Sequence, residues 1–86
     1  MVKMCVSVKN PSGLHARPAS KLCAIARSYK CNSSINCGEL NIDIKKILDL
    51  MSANLRNGDE LEVICDGIDE KQAIKEIVEF IQNLDE

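Results

Sequence analysis

Apolar residues recur along this chain with a period that switches between two and about 3.6, in runs so short that only a small layered domain can use them. Val2, Met4, Val6 and Val8 alternate with Lys3, Cys5, Ser7 and Lys9, which predicts a strand with one buried face. Asn10-Pro11-Ser12-Gly13 ends it with turn formers. A helix is expected from about Ala16 to Ser28, because Pro18 in a first turn gives up only an amide that lacks an intrahelical partner. Asn32 to Cys37 and Leu40 to Ile44 read as two strands joined by a tight loop at Gly38-Glu39. Ile44, Ile47, Leu48, Met51 and Leu55 then recur at helical spacing, and Glu60 to Cys65 alternates again through Leu61, Val63 and Cys65. Asp69 with Gln72 three residues on has the pattern of a capping box, opening a last helix whose stripe is Ala73, Ile74, Ile77, Ile81 and Leu84. The order β-α-β-β-α-β-α predicts an α+β fold, a four-stranded antiparallel sheet with three helices on one face.

Residues 1–86 are enough for one domain with a single modest core, and no repeat, linker or low-complexity segment divides them. Neither a membrane-length apolar run nor a signal-peptide pattern is present, so a cytoplasmic protein with no membrane insertion is expected. A net charge of −2 speaks against a general nucleic-acid binder, and Tyr29 and Phe80 alone make no stacking platform. Cys5, Cys23, Cys31, Cys37 and Cys65 contain no Cys-x-x-Cys pair and are odd in number, which disfavours a zinc site, a redox motif and complete internal pairing. Cys23 and Cys65 fall on inward positions and read as small core hydrophobes. Cys5 falls on the polar parity of its strand, which makes it the most reactive candidate if exposed.

The only histidine lies in Gly13-Leu14-His15-Ala16-Arg17-Pro18-Ala19-Ser20, at or beside the expected start of the first helix. First-turn amides there have no acceptor within the helix, and the aligned peptide dipoles favour an anion. A neutral imidazole keeps one ring nitrogen with a lone pair, able to accept a phosphoryl group and release it again. Arg17 adds a guanidinium whose donors match phosphate geometry and whose charge does not titrate away. An isolated His-x-Arg is a weak signal, equally compatible with a cap and a surface charge. Here it is embedded in a glycine hinge and a helix-initiating proline.

Gly13 to Ser20 resembles, at every position, the active-site signature of HPr, the histidine-containing phosphocarrier of the phosphoenolpyruvate-dependent sugar phosphotransferase system. Lys45 to Ser52 is similar to that family's second-helix segment, Asn57 to Leu61 to the turn into its last strand, and Asp66 to Ala73 to its last strand-to-helix junction. The resemblance covers essentially the whole chain. It implies an open-faced β-sandwich and a carrier that is not itself an enzyme. Phosphorylated enzyme I would donate to Nδ1 of His15, the Ala16 and Arg17 groups would hold the phosphate, and an enzyme IIA domain would take it away. Leu14, Ser20, Ile47, Leu48 and Met51 would form the docking surface, with Leu50 buried. No metal or organic cofactor is implied on this chain, although the donor would use magnesium for its own reaction, and a monomer is expected. Arg17, Lys21, Arg27, Lys45 and Lys46 would give a basic rim that steers acidic partners.

Three departures stand out. Lys46 occupies the position before Ile47-Leu48 where many relatives carry a regulatory serine, so serine-directed control at that position is expected to be absent, with Ser52 among the nearest other hydroxyls. Asp49 and Asn54 replace residues that are often glycine, or lysine in the first case; Asn54 can still adopt a left-handed backbone. A specialised carrier, nitrogen-regulatory or dihydroxyacetone-linked, and a regulatory paralogue are the other readings. Retention of His15 with Arg17 argues against the regulatory one.

Overall fold

The computed structural model describes residues 1–85. Its elements are β1 (Val2–Ser7), α1 (Ala16–Arg27), β2 (Asn32–Cys37), β3 (Leu40–Asp43), α2 (Ile47–Ala53), β4 (Glu60–Asp66) and α3 (Glu70–Gln82). The strands form one antiparallel sheet in the order β1-β4-β2-β3, so the last strand of the sequence lies between the first and the second. Alternation then sorts the side chains. Leu61, Val63 and Cys65 of β4 lie on the same face as Val6 and Ile35, their cross-strand neighbours, while Glu60, Glu62 and Asp66 fall on the other. The three helices lie against the first face. Leu22 and Ala26 of α1, Leu50 of α2, and Ala73, Ile77, Val78 and Ile81 of α3 join Val8, Ile35, Ile42, Ile44, Leu61 and Val63 in one core. Each fully buried Leu or Ile contributes about 1.5–3 kcal/mol relative to an exposed one.

Three local expectations are corrected. Met4 has the inward parity of β1 and pairs with Val63, yet it is 45% exposed, because β1 is an edge strand with no strand beyond it. The helical pattern from Ile44 to Leu55 overstates α2: Ile44 and Leu55 are buried but flank the helix. Asp69 is the N-cap of α3, but its side chain makes no cap hydrogen bond and the capping box with Gln72 is not formed. Its carboxylate instead accepts from the amides of Lys30 at 2.7 Å and Cys31 at 2.8 Å, tying the α1–β2 connection to the start of α3. Those backbone donors hold the Asp69 carboxyl below the usual carboxylate range. Glu70, the first residue of α3, accepts from the Gly67 amide at 3.0 Å and pairs with the Met1 amine.

The five cysteines are unbridged: Cys23, Cys31 and Cys65 buried, Cys37 intermediate and Cys5 exposed. Burial pushes the Cys65 thiol up to about 12, the behaviour of a packed, unreactive sulfur. No group of three or more His, Cys, Asp or Glu among the described residues is placed to hold a metal, and no helix there is long and apolar enough to cross a membrane.

Candidate phosphoryl-transfer site

The turn after β1 is built by its own residues and then strapped to the far side of α2. Asn10, 2% exposed, donates from Nδ2 to the Gly13 carbonyl at 2.6 Å, and the Gly13 amide donates to the Asn10 carbonyl at 3.2 Å. The Leu14 amide donates to the Leu55 carbonyl at 3.0 Å. Gly13 has φ +66°, and a Cβ there would lie 2.4 Å from the Leu55 oxygen, so no other residue fits without moving the turn. Leu55 follows Asn54, the C-cap of α2, which takes the left-handed conformation (φ 53°, ψ 50°) expected of it. On the other side, Val8 and the 58–59 turn exchange two backbone hydrogen bonds, at 2.8 and 2.9 Å. The chain therefore enters α1 from a fixed direction.

His15 is the N-cap of α1, extended at φ −82°, ψ −170°, with an exposed side chain that makes no cap hydrogen bond. Its carbonyl accepts the first intrahelical bond, from the Ala19 amide at 2.9 Å. Pro18, buried at the third helical position, has no amide to offer. Beyond the cap residue, the helix end presents the amides of Ala16 and Arg17, for which no carbonyl exists within the helix. No acidic residue occupies this first turn to compete with an incoming anion. Both Ala16 and Arg17 are exposed. His15, Ala16 and Arg17 thus stand together as exposed residues at the N-terminal end of α1.

The docking residues divide. Leu48 is 74% exposed, Met51 is 45% exposed, Ile47 is half-buried and Ser20 is exposed, whereas Leu50 is fully buried, as expected. α2 packs against α1, the helix that His15 starts. Leu14 is the exception: at 3% exposure it belongs to the core, and what it gives the site is its amide on Leu55. Next to an exposed histidine, an inward leucine anchors the turn. Part of the basic rim is also committed internally. Arg27 donates from Nε to the Lys45 carbonyl at 2.8 Å, and Lys45 donates from Nζ to the Tyr29 carbonyl at 2.9 Å, joining the end of α1 to the segment before α2. Cys23 donates its thiol to the same Lys45 carbonyl at 3.3 Å. Lys46 is the exposed N-cap of α2, and Asp49 in the first turn supplies the negative charge that a helix N-terminus favours. The sequence reading missed Asn10, Leu55 and Arg56 as the frame of the histidine turn; the turn chemistry of Asn10-Pro11-Ser12-Gly13 was the available signal.

Comparison with known proteins agrees with this geometry. The family model described as the PTS HPr component phosphorylation site matches residues 2–83. The chain belongs to the HPr phosphocarrier family. It is 36% identical to the phosphocarrier protein HPr of Mycoplasma genitalium over 78 residues, covering 90% of this chain and 89% of that protein. A crystal structure of HPr from Thermoanaerobacter tengcongensis superposes with a TM-score of 0.90 at 30% identity, covering 94% of this chain and 91% of that one, which is the open-faced sandwich expected from the sequence. The chain is also 33% identical, over 88% of its length, to part of the phosphoryl donor subunit DhaM of a dihydroxyacetone kinase from Providencia stuartii, of which it spans 16%. HPr proteins are phosphocarriers of the phosphotransferase system and not catalysts in their own right.

Proposed function

We propose that this HPr-family chain carries the phosphoryl group on His15, receiving it from phosphorylated enzyme I and passing it to an enzyme IIA domain of a sugar permease. The observation that carries this reading is the position of His15, an exposed imidazole at the N-cap of α1 beside the Ala16 and Arg17 amides. The lone pair on Nδ1 attacks phosphorus in line, the bond from phosphorus to the donor breaks, and its electron pair leaves with the donor. The helix-end amides and the Arg17 guanidinium hold the new dianion, stabilising it without making it inert. Transfer onward repeats the displacement in reverse. Ser20, Ile47, Leu48 and Met51 supply the contact surface, and it remains small because donor and acceptor must use it in turn and leave quickly. The protein acts as a monomer in the cytoplasm.

The match to DhaM favours a second reading, in which the acceptor belongs to a dihydroxyacetone-linked branch. One reconstitution separates the two. The carrier is charged with phosphoenolpyruvate and enzyme I, then divided among sugar IIA domains and dihydroxyacetone kinase components, and the label left on it is followed. Discharge by a sugar IIA domain is expected; discharge only by the kinase components supports the second reading, and no charging at all refutes both.

A further inference from the structure

The wall against which the histidine turn rests contains an arginine that the family motif does not include. A Cβ on Gly13 would come within 3.0 Å of the Arg56 Cα, so the two backbones touch, and the Leu14–Leu55 hydrogen bond holds them together. Asp59 Oδ2 accepts the Arg56 amide at 2.9 Å, which fixes the backbone from which the exposed side chain projects. With the Asn54 amide turned to satisfy both groups, its oxygen accepts from Arg56 Nη2 at 2.8 Å and Nε at 3.3 Å. That partner is neutral. No carboxylate among the described residues forms an ion pair with this guanidinium.

A guanidinium resting on an amide oxygen gains when a carboxylate replaces that oxygen, because charge-assisted bonds are roughly twice as strong as neutral ones and Arg presents a fork that fits a carboxylate. The phosphate-binding amides lie on the C-terminal side of His15, at Ala16 and Arg17, whereas Arg56 abuts the turn on the N-terminal side, at Gly13. Its side chain is exposed there. We propose that Arg56 is a specificity-determining docking residue, whose guanidinium leaves Asn54 on complex formation and binds a carboxylate of the partner protein beside its phosphoryl-bearing residue. This rests on the phosphocarrier reading of His15.

The test compares the wild-type carrier with Arg56→Gln and Arg56→Lys as substrates in transfer from enzyme I and to an enzyme IIA domain, at low and high salt. Hydrolysis of the isolated phosphorylated carrier is followed in parallel, with thermal unfolding as a check on the fold. Arg56→Gln is expected to raise KM about two- to fivefold at low salt with at least one partner, and to flatten the salt dependence. The saturated rate and the lifetime of the phosphorylated carrier should not change, and Arg56→Lys should recover part of the KM. Unchanged KM with both partners, in a carrier whose wild type transfers normally, overturns this proposal alone. A lower saturated rate or an altered lifetime also overturns it, because the guanidinium would then be acting on the phosphoryl group. A wild type that accepts nothing from enzyme I removes the phosphocarrier reading and this proposal with it.

Discussion

Replacing Gly13 by alanine tests whether the histidine turn is held by backbone contact. Two costs add. An L-residue at φ +66° pays for a left-handed backbone, about 1–2 kcal/mol. The new Cβ would also sit 2.4 Å from the Leu55 carbonyl oxygen and 3.0 Å from the Arg56 Cα, both backbone atoms, so the turn must withdraw and weaken the 3.0 Å bond from the Leu14 amide. Losing that bond costs about 0.5–1.5 kcal/mol more, before any displacement of the buried Leu14 side chain. The total is about 1.5–3.5 kcal/mol, which lowers the unfolding midpoint of a domain this size by on the order of 10–20 °C. Gly38→Ala is the control, since Gly38 has φ +59° but nothing within 4 Å of its virtual Cβ. It should lose only the conformational part, about 1–2 kcal/mol. Urea and thermal unfolding followed by circular dichroism measure both. Gly13→Ala should also slow phosphoryl acceptance, because His15 follows Leu14 directly, while Gly38→Ala should not. Equal destabilisation by the two substitutions would refute the strap, leaving Gly13 as an ordinary left-handed turn residue.

Leu50→Ala should cost about 2–5 kcal/mol, since the side chain is fully buried, while Leu48→Ala, at a site 74% exposed, should stay within about 0.5 kcal/mol in stability yet raise KM for enzyme I. Arg17→Ala should slow phosphoryl acceptance with little change in the unfolding midpoint, because its proposed work is on phosphate at an exposed helix end; equal kinetics would leave it a surface charge. Asp69 and Glu70 have carboxyls held below their ordinary values of 3.8 and 4.5, first by the Lys30 and Gly67 amides respectively. Their contribution is therefore present above those values and lost as pH falls through the lowered ones, so Asp69→Asn should flatten the acid limb of stability against pH without affecting transfer near neutrality.

The elements were legible because each is short and cleanly periodic, and the helix start at His15 was legible because Pro18 and Gly13 bracket it. What the sequence withheld is long-range. Nothing local says that β4 inserts between β1 and β2, and edge position is what leaves Met4 exposed despite its inward parity. Asp69 looks like a cap from its neighbours, but the amides of Lys30 and Cys31 reach it from across the fold and take its carboxylate. Leu14 is flanked by site residues and still points to the core, because the Leu55 strap sets the turn's orientation. In the candidate site, His15, Ala16 and Arg17 are neighbours along the chain and Asn10 reaches Gly13 within the same turn, whereas Arg56 meets that turn only through tertiary contact.

The most direct test of the account is to charge the protein with phosphoenolpyruvate and enzyme I and to map the product by intact mass and peptide sequencing under alkaline conditions. One phosphoryl group per chain is expected, on His15, stable in base and lost in acid. His15→Ala should keep the wild-type circular dichroism spectrum, since the exposed side chain makes no cap hydrogen bond, and should accept nothing. Acid-labile phosphate on the His15→Ala protein, or a charged wild type with its phosphoryl group on any other residue, would contradict the claim that His15 is the carrier.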